Sequence, residues 1–398
     1  PRDPADALSR AAAIRAARRA TATGRLRGTA RAELGIDPRS GALAYEVSLP
    51  AADPVADLLV VVDARSGTEI SARNLLHEAS GGAMIFDPTP VTTQGGYAGL
   101  RDDKDRDSPL LTGLRLGVEL PRITSTQGCL TGVYVDARLG KDANRVCRPG
   151  LDFSGLTRSR DRFEAVMAYY HIDRTRAYVD ALGLSAALRP EPQRVRADAI
   201  TRDNSYFSSM TRSMTLGTGG VDDGEDADVI VHEYGHSLQD QAVHNFGGSP
   251  GGASIGEGFG DYLAAAMSAL RTGGSPFDAC IFDWDAISYS KSGCGRRVDR
   301  PIDRKTAERR CRFEPHCTGQ AWSSLLWELR GTLGVDPQGR SVMDRIVLES
   351  HFMYTERSGF GDAVRALLAS DRLLYAGAHL PTLEAVLVAR KFCPAAGC

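Results

Sequence analysis

The chain has no apolar run long enough to span a bilayer, and its most apolar stretch near the start, Leu58 to Val62, is the size of a single strand. It also lacks a charge excess. Its 48 Lys and Arg against 50 Asp and Glu give a net charge of -2, which argues against nucleic acid or an anionic membrane surface as a bulk partner. No C-x-x-C pair occurs, so the cysteines do not form a zinc knuckle. No internal repeat and no long low-complexity segment is present. The chain opens at Pro1 without a methionine or a charged-then-apolar leader, and we expect a removed signal peptide or a trimmed chain.

What is present is ordinary globular material. The chain has 398 residues, enough for two or three domains, and its 42% hydrophobic and 25% charged residues support a sizeable core. Its eight cysteines fall in close sequence pairs, Cys129/Cys147, Cys280/Cys294, Cys311/Cys317 and Cys393/Cys398. An even count at short spacing predicts four local disulfides, an oxidising compartment and hence a secreted protein, although spacing alone leaves the connectivity open.

Residues 1–80 are expected to form one small α+β module. Ala7 to Ala20 is helical in character. Ala42 to Leu49 and Asp57 to Asp63 are strand-like, and a turn from Asp63 to Thr68 leads to Glu69-Ile70-Ser71. Residues 81–250 begin with short alternating segments rich in Gly, Pro, Thr and Asp, such as Leu114 to Leu120. They continue through a helical pattern from Asp161 to Leu184, a strand at Val195 to Ile200, and a hairpin within Ser205 to Leu216. Residues 251–398 are mainly helical, over Gly256 to Leu270, Thr318 to Leu329, Ser341 to Tyr354 and Gly361 to Leu368. The fold class expected is α+β.

The chemistry concentrates at His232-Glu233-Tyr234-Gly235-His236. Histidines at i and i+4 share one helix face, so both imidazoles can converge on one ion. Glu233, one residue past the first of them, is placed to take a proton from a water at that ion. The acids before it, Asp222 to Asp228, suit a helix N-terminus, with Asp226 or Asp228 as its N-cap. This run and the acidic loop Asp102 to Asp107 are also the candidate places for a structural Ca²⁺. A catalytic zinc needs a third protein ligand. A metzincin would place Gly and His at 239 and 242, where this chain has Gln239 and Ala242. Glu257, in Gly256-Glu257-Gly258-Phe259-Gly260-Asp261, opens a second helical run after the Gly- and Pro-containing segment 247–252. Asp261, one turn further on, can accept the second N–H of a zinc-bound histidine. The remaining histidines, His77, His171, His351 and His379, read as surface or satisfied core residues.

These blocks resemble the thermolysin-type gluzincin zinc metallopeptidases, most of all the fungalysin-like branch. A further match is Glu314-Pro315-His316-Cys317-Thr318-Gly319-Gln320-Ala321-Trp322, and residues 1–80 resemble the PepSY/FTP-like inhibitory propeptide module. The resemblance implies a two-lobed thermolysin-like fold, with a β-rich lobe ending in the zinc helix and a helical second lobe. It implies Zn²⁺ on His232, His236 and Glu257, Glu233 as general base, and Asp261 supporting a histidine ligand. It further implies His316 on the oxyanion and Asn204, in Asp203-Asn204-Ser205-Tyr206-Phe207, binding the substrate backbone. The activity implied is a secreted endopeptidase on peptide or protein substrates, made as a precursor with its own propeptide as partner. Two departures stand out. Val243 to Gly247 has no tyrosine to support an oxyanion, which leaves His244 as a possible contributor. The substrate-binding arginine has only positional candidates, Arg296 and Arg297. The alternatives are a gluzincin aminopeptidase and a latent, non-catalytic zinc-binding homologue.

Overall fold

A computed structural model describes residues 6–37, 41–52, 55–74, 79–160, 162–184 and 188–398; His77 lies outside them. The chain separates into two units, Pro1–Ala79 with Gly183–Pro192, and Ser80–Leu182 with Gln193–Cys398. Residues 183–184 and 188–192 thus group with the N-terminal residues rather than with their chain neighbours.

The first unit is one helix on a four-stranded antiparallel sheet. Helix α1 (Arg10–Ala20) is followed by β1 (Arg31–Ile36), β2 (Leu43–Ala52), β3 (Val55–Asp63) and β4 (Glu69–Asn74), paired in that order. The Ser9 hydroxyl caps α1 by accepting from the Ala12 amide at 3.2 Å. Ala13 and Ala17 on the helix are small enough to seat it on Tyr45, Val47, Val60 and Val62 of the sheet, all buried. The β3–β4 turn forms because the Asp63 carboxylate accepts from the Arg65 and Ser66 amides, at 3.0 and 2.8 Å, while Gly67 supplies a left-handed φ of 71°.

The second unit is mixed, with strands early and helices late. It runs β5 (Ala79–Ile85), α2 (Pro90–Gln94), α3 (Pro109–Leu114), β6 (Leu116–Ile123), β7 (Val135–Leu139), β8 (Asn144–Arg145), α4 (Phe163–Ala181), β9 (Gln193–Ile200), β10 (Tyr206–Ser208) and β11 (Ser213–Gly217). Then come α5 (Ala227–Ala242), α6 (Pro250–Thr272), β12 (Cys280–Ile281), β13 (Arg296–Arg297), α7 (Arg304–Cys311), α8 (Pro315–Leu333), α9 (Val342–His351), α10 (Phe360–Tyr375) and α11 (Leu380–Ala389). The five-stranded sheet has the order β10-β11-β9-β7-β8. Its centre is parallel and both outer pairs are antiparallel, so the β10–β11 hairpin forms one edge.

Helix α4 is buried nearly all round, from Phe163 to Val179, and packs between the sheet and α5. Helices α5, α6 and α8 pack in succession. Asp344 ties the helical part together by accepting from the Tyr178 and Tyr262 hydroxyls and from Arg330 at 3.2 Å. Helix α6 begins six residues before the expected Gly256. The Ser249 hydroxyl caps it by accepting from the Gly252 amide at 2.9 Å, and Pro250 fits the first turn, where no N–H is needed. The connection from α5 is therefore shorter than the Gly-rich composition predicts. Four disulfides join Cys129–Cys147, Cys280–Cys294, Cys311–Cys317 and Cys393–Cys398. No helix among the described residues is long and apolar enough to cross a membrane.

Candidate metal centre

The acidic run before α5 is used mainly to start that helix and fix its surroundings. Asp226 is the N-cap, accepting from the Asp228 amide at 2.8 Å. Its carboxylate also takes the Trp284 and Asp285 amides at 3.1 and 2.9 Å, and Asp228 takes the Phe282 amide at 3.1 Å. Glu225 pairs with the buried Arg158 at 2.8 Å, and Arg158 reaches Asp102 at 2.6 Å, which anchors the acidic loop. Four acids, Asp102, Glu225, Asp226 and Asp228, thus bind backbone amides or a guanidinium near this helix start.

On α5 the two histidines lie on the face turned to α6, and Glu233 lines the cleft beside them. That face is shaped by missing side chains. A Cβ on Gly260 would stand 2.6 Å from the His232 ring nitrogen Nδ1, and one on Gly258 would stand 2.4 Å from the Gly319 carbonyl of α8. The absent methyl groups let His232 lie flat on α6 and let α8 approach the same helix. Gly260 therefore brings His232 against Asp261, at 2.9 Å from Nδ1 to the carboxylate. Arg296 grips that carboxylate with two bonds of 2.7 Å, so Asp261 is fixed from both sides. With Nδ1 donating to Asp261, Nε2 of His232 presents its lone pair towards Glu257.

The donor atoms then converge. His232 Nε2 lies 3.3 Å from Glu257 Oε2, and His236 Nε2 lies 3.5 Å from Glu257 Oε1. All three residues offer an atom within 4.8 Å of the others. Two ligand atoms each about 2.0–2.1 Å from a tetrahedral ion stand about 3.4 Å apart, so the spacing and the N,N,O donor set both fit zinc. Glu233 Oε2 is a further sign: it is buried beside the cluster with no hydrogen-bond partner. Electrostatics agree. Burial opposes the charged His232 ring, yet bonds to Asp261 and Glu257 push it up to about 10. Burial likewise opposes the Glu257 charge, but the His232 bond and the charges of His236 and His316 hold it below the usual carboxylate range. The field here favours positive charge, which a divalent ion supplies in place of protons.

His316 also meets Glu257, with Nε2 at 3.3 Å from Oε2. It sits in the first turn of α8, where Glu314 is the N-cap and also accepts from His316 Nδ1 at 2.6 Å. The Cys311–Cys317 disulfide braces that turn. His232, Glu233, His236, Glu257, Arg296 and His316 line one cleft of about 780 Å³. Its lining also carries Asn204, Tyr206 and Phe207 at the edge strand β10.

The structure thus brings His232, Glu233, His236, Glu257, Asp261 and His316 together and sets Asn204 on the lining of the same cleft. His244 is half-exposed, is bonded to Asp240 at 3.0 Å, and is not among the residues lining the cleft. Of the two arginine candidates, Arg296 lines the cleft and Arg297 turns to Asp299 at 2.7 Å. Sequence reasoning missed Glu314 as the residue that turns His316, although the side chain lay in the motif, two positions away. It also missed a wall of carboxylates, Asp203, Asp223 and Asp285, whose oxygens lie within 4.8 Å of one another in the same cleft. A comparison with models of known protein families finds no match, and a search of curated proteins finds no significant one.

Proposed function

We propose that this chain is a secreted zinc metalloendopeptidase with a thermolysin-like two-lobed catalytic part and a propeptide-like N-terminal module. The observation that carries the reading is the convergence of His232, His236 and Glu257 at tetrahedral-ligand spacing, with the unpartnered Glu233 oxygen beside them. A zinc ion held there supplies Lewis acidity, which polarises a carbonyl and eases proton loss from water. Glu233 takes that proton and returns it to the leaving amine nitrogen. His316, turned by Glu314, donates from Nε2 to the oxygen that gains charge. Asp261 and Arg296 hold His232 in the tautomer that keeps Nε2 free. The substrate adds as an extended strand along β10, with Asn204 on its backbone. Four disulfides support secretion. The separate helix-on-sheet unit supports the propeptide reading.

The test is zinc content, hydrolysis of an unstructured protein, and the chain's own length on incubation, for wild type and Glu233→Gln. We expect equal zinc in both. Hydrolysis should fall about 10²–10⁴-fold in the variant, in line with loss of a general base, and self-shortening near residues 75–100 should be confined to wild type. Near-wild-type hydrolysis by the zinc-loaded variant would remove Glu233 from the mechanism, and a wild type that cuts nothing would leave a zinc-binding homologue without activity.

A further inference from the structure

The cleft has a second chemical feature besides the metal cluster. Asp203, Asp223 and Asp285 come from three separate segments and converge on its wall. Asp223 and Asp285 are 2% and 5% exposed. Asp285 Oδ1 has no hydrogen-bond partner, while Oδ2 accepts from the Tyr289 hydroxyl at 2.8 Å. Asp223 accepts from the Ser205 hydroxyl. A buried, unsatisfied carboxylate oxygen on a cavity wall is costly unless a ligand completes it. Burial, and after it the neighbouring carboxylates, pushes Asp285 up to about 9. Burial pushes Asp223 up to about 7, eased by the Ser205 bond and worsened by Asp203 and Glu233. Arrival of a positive charge would relieve that repulsion.

The cleft that holds the trio also has apolar lining. Val229 stands one helical turn before Glu233 on α5 and lines the cleft with Phe282. Such a surface suits the methylene stem of a long side chain whose charged head continues to the acids. The trio also lies on a definite side of the site. Glu233 hands its proton to the leaving amine, so the residue supplying that amine sits beside Glu233, whose charge reaches Asp223. His316, which in that reading stabilises the carbonyl oxygen, stands instead at Glu257, with Nε2 3.3 Å from its carboxylate.

We infer that Asp203, Asp223 and Asp285 form a subsite for a cationic side chain, so that the bond cut lies on the amino side of lysine or arginine. This rests on the peptidase reading above. The test maps cleavage sites of the zinc-supplemented full chain on an unfolded protein. It then measures kcat/KM on end-blocked peptides that differ only in the residue after the cut: Lys, Arg, Leu or Glu. Lys and Arg should exceed Leu on the order of tenfold or more, with Glu lowest. Asp285→Asn and Asp223→Asn should each lower the Lys-to-Leu ratio severalfold. The wild-type panel decides the matter even if a variant folds poorly. Equal cutting before Leu and Lys, a requirement for a free N-terminal amine, or calcium binding that both variants lose with the ratio unmoved would each overturn the subsite. Failure to cut any peptide would overturn the peptidase reading, and the subsite with it.

Discussion

His316 is held differently from the two histidines of α5. His232 is buried and fixed by Asp261, whereas the His316 side chain is 56% exposed, with Glu314 at its Nδ1 and Glu257 at its Nε2. The role proposed for His316 can therefore be tested apart from the proposed metal binding. We expect His316→Ala to lower kcat about 10²–10³-fold with zinc content unchanged, the scale for removing one donor to a developing oxyanion. Glu314→Gln keeps the shape but loses the charge on Nδ1, and should cost about tenfold or more. Kinetics paired with metal analysis checks both, and zinc loss in His316→Ala would make it a ligand instead. The residue types at this site were legible because metal chemistry restricts them to a few side chains at helical spacing. The acidic trio was not legible, because residues 203, 223 and 285 are far apart in sequence and only the fold brings them together.

At the scale of elements, the motif Gly256 to Asp261 is as much about packing as about ligands. Gly260 admits the His232 ring and Gly258 admits α8. Gly260→Ala should therefore push His232 off Asp261, lowering zinc occupancy and destabilising the fold by about 1–3 kcal/mol, as overpacking does. A control lies in the same helical layer. Gly331 in α8 has open space where a Cβ would go, and Gly331→Ala should be neutral or stabilising by about 0.5–1 kcal/mol. Metal content and Tm of the two variants, side by side, check the pair. Helices α4, α5, α6 and α8 were readable because their apolar residues recur at helical spacing over four or more turns. Strand β1 was not, since Arg31–Ile36 lies at a sheet edge with only Ala32 buried and shows no alternation. The start of α6 was obscured because glycine reads as loop, whereas here close helix packing requires it.

At the scale of the whole molecule, the second unit buries an unusual number of acids. Burial, and then the charges of nearby carboxylates, pushes Asp222 and Asp283 up to about 8. Burial also pushes Glu225 up to about 8, against the pull of Arg158. Glu164 is fully buried, with neither carboxylate oxygen hydrogen-bonded, and is raised well above its ordinary value by burial and then by Asp198. Acids with raised folded pKa contribute stability that is fully present below their unfolded value near 4 and lost as pH rises through the folded value. Two buried neutral histidines act the other way at lower pH. Burial pushes His171 down to about 4 and His351 to about 3, so they lose stability only as pH falls below about 6.5. Above pH 6.5 these two histidines are silent and the acids set the slope. The expected result, with zinc supplied so that His232 binds metal rather than a proton, is a Tm that falls from pH 6.5 to 9. The size should be on the order of 2 °C per pH unit for each proton the folded chain retains. A calcium ion bound among these carboxylates would take over the charge the protons hold and flatten the slope. Thermal unfolding across that range with and without added calcium checks both. A Tm that rises with pH would mean the acids are ionised and paired in the folded chain, and a slope that calcium leaves unchanged would remove the ion.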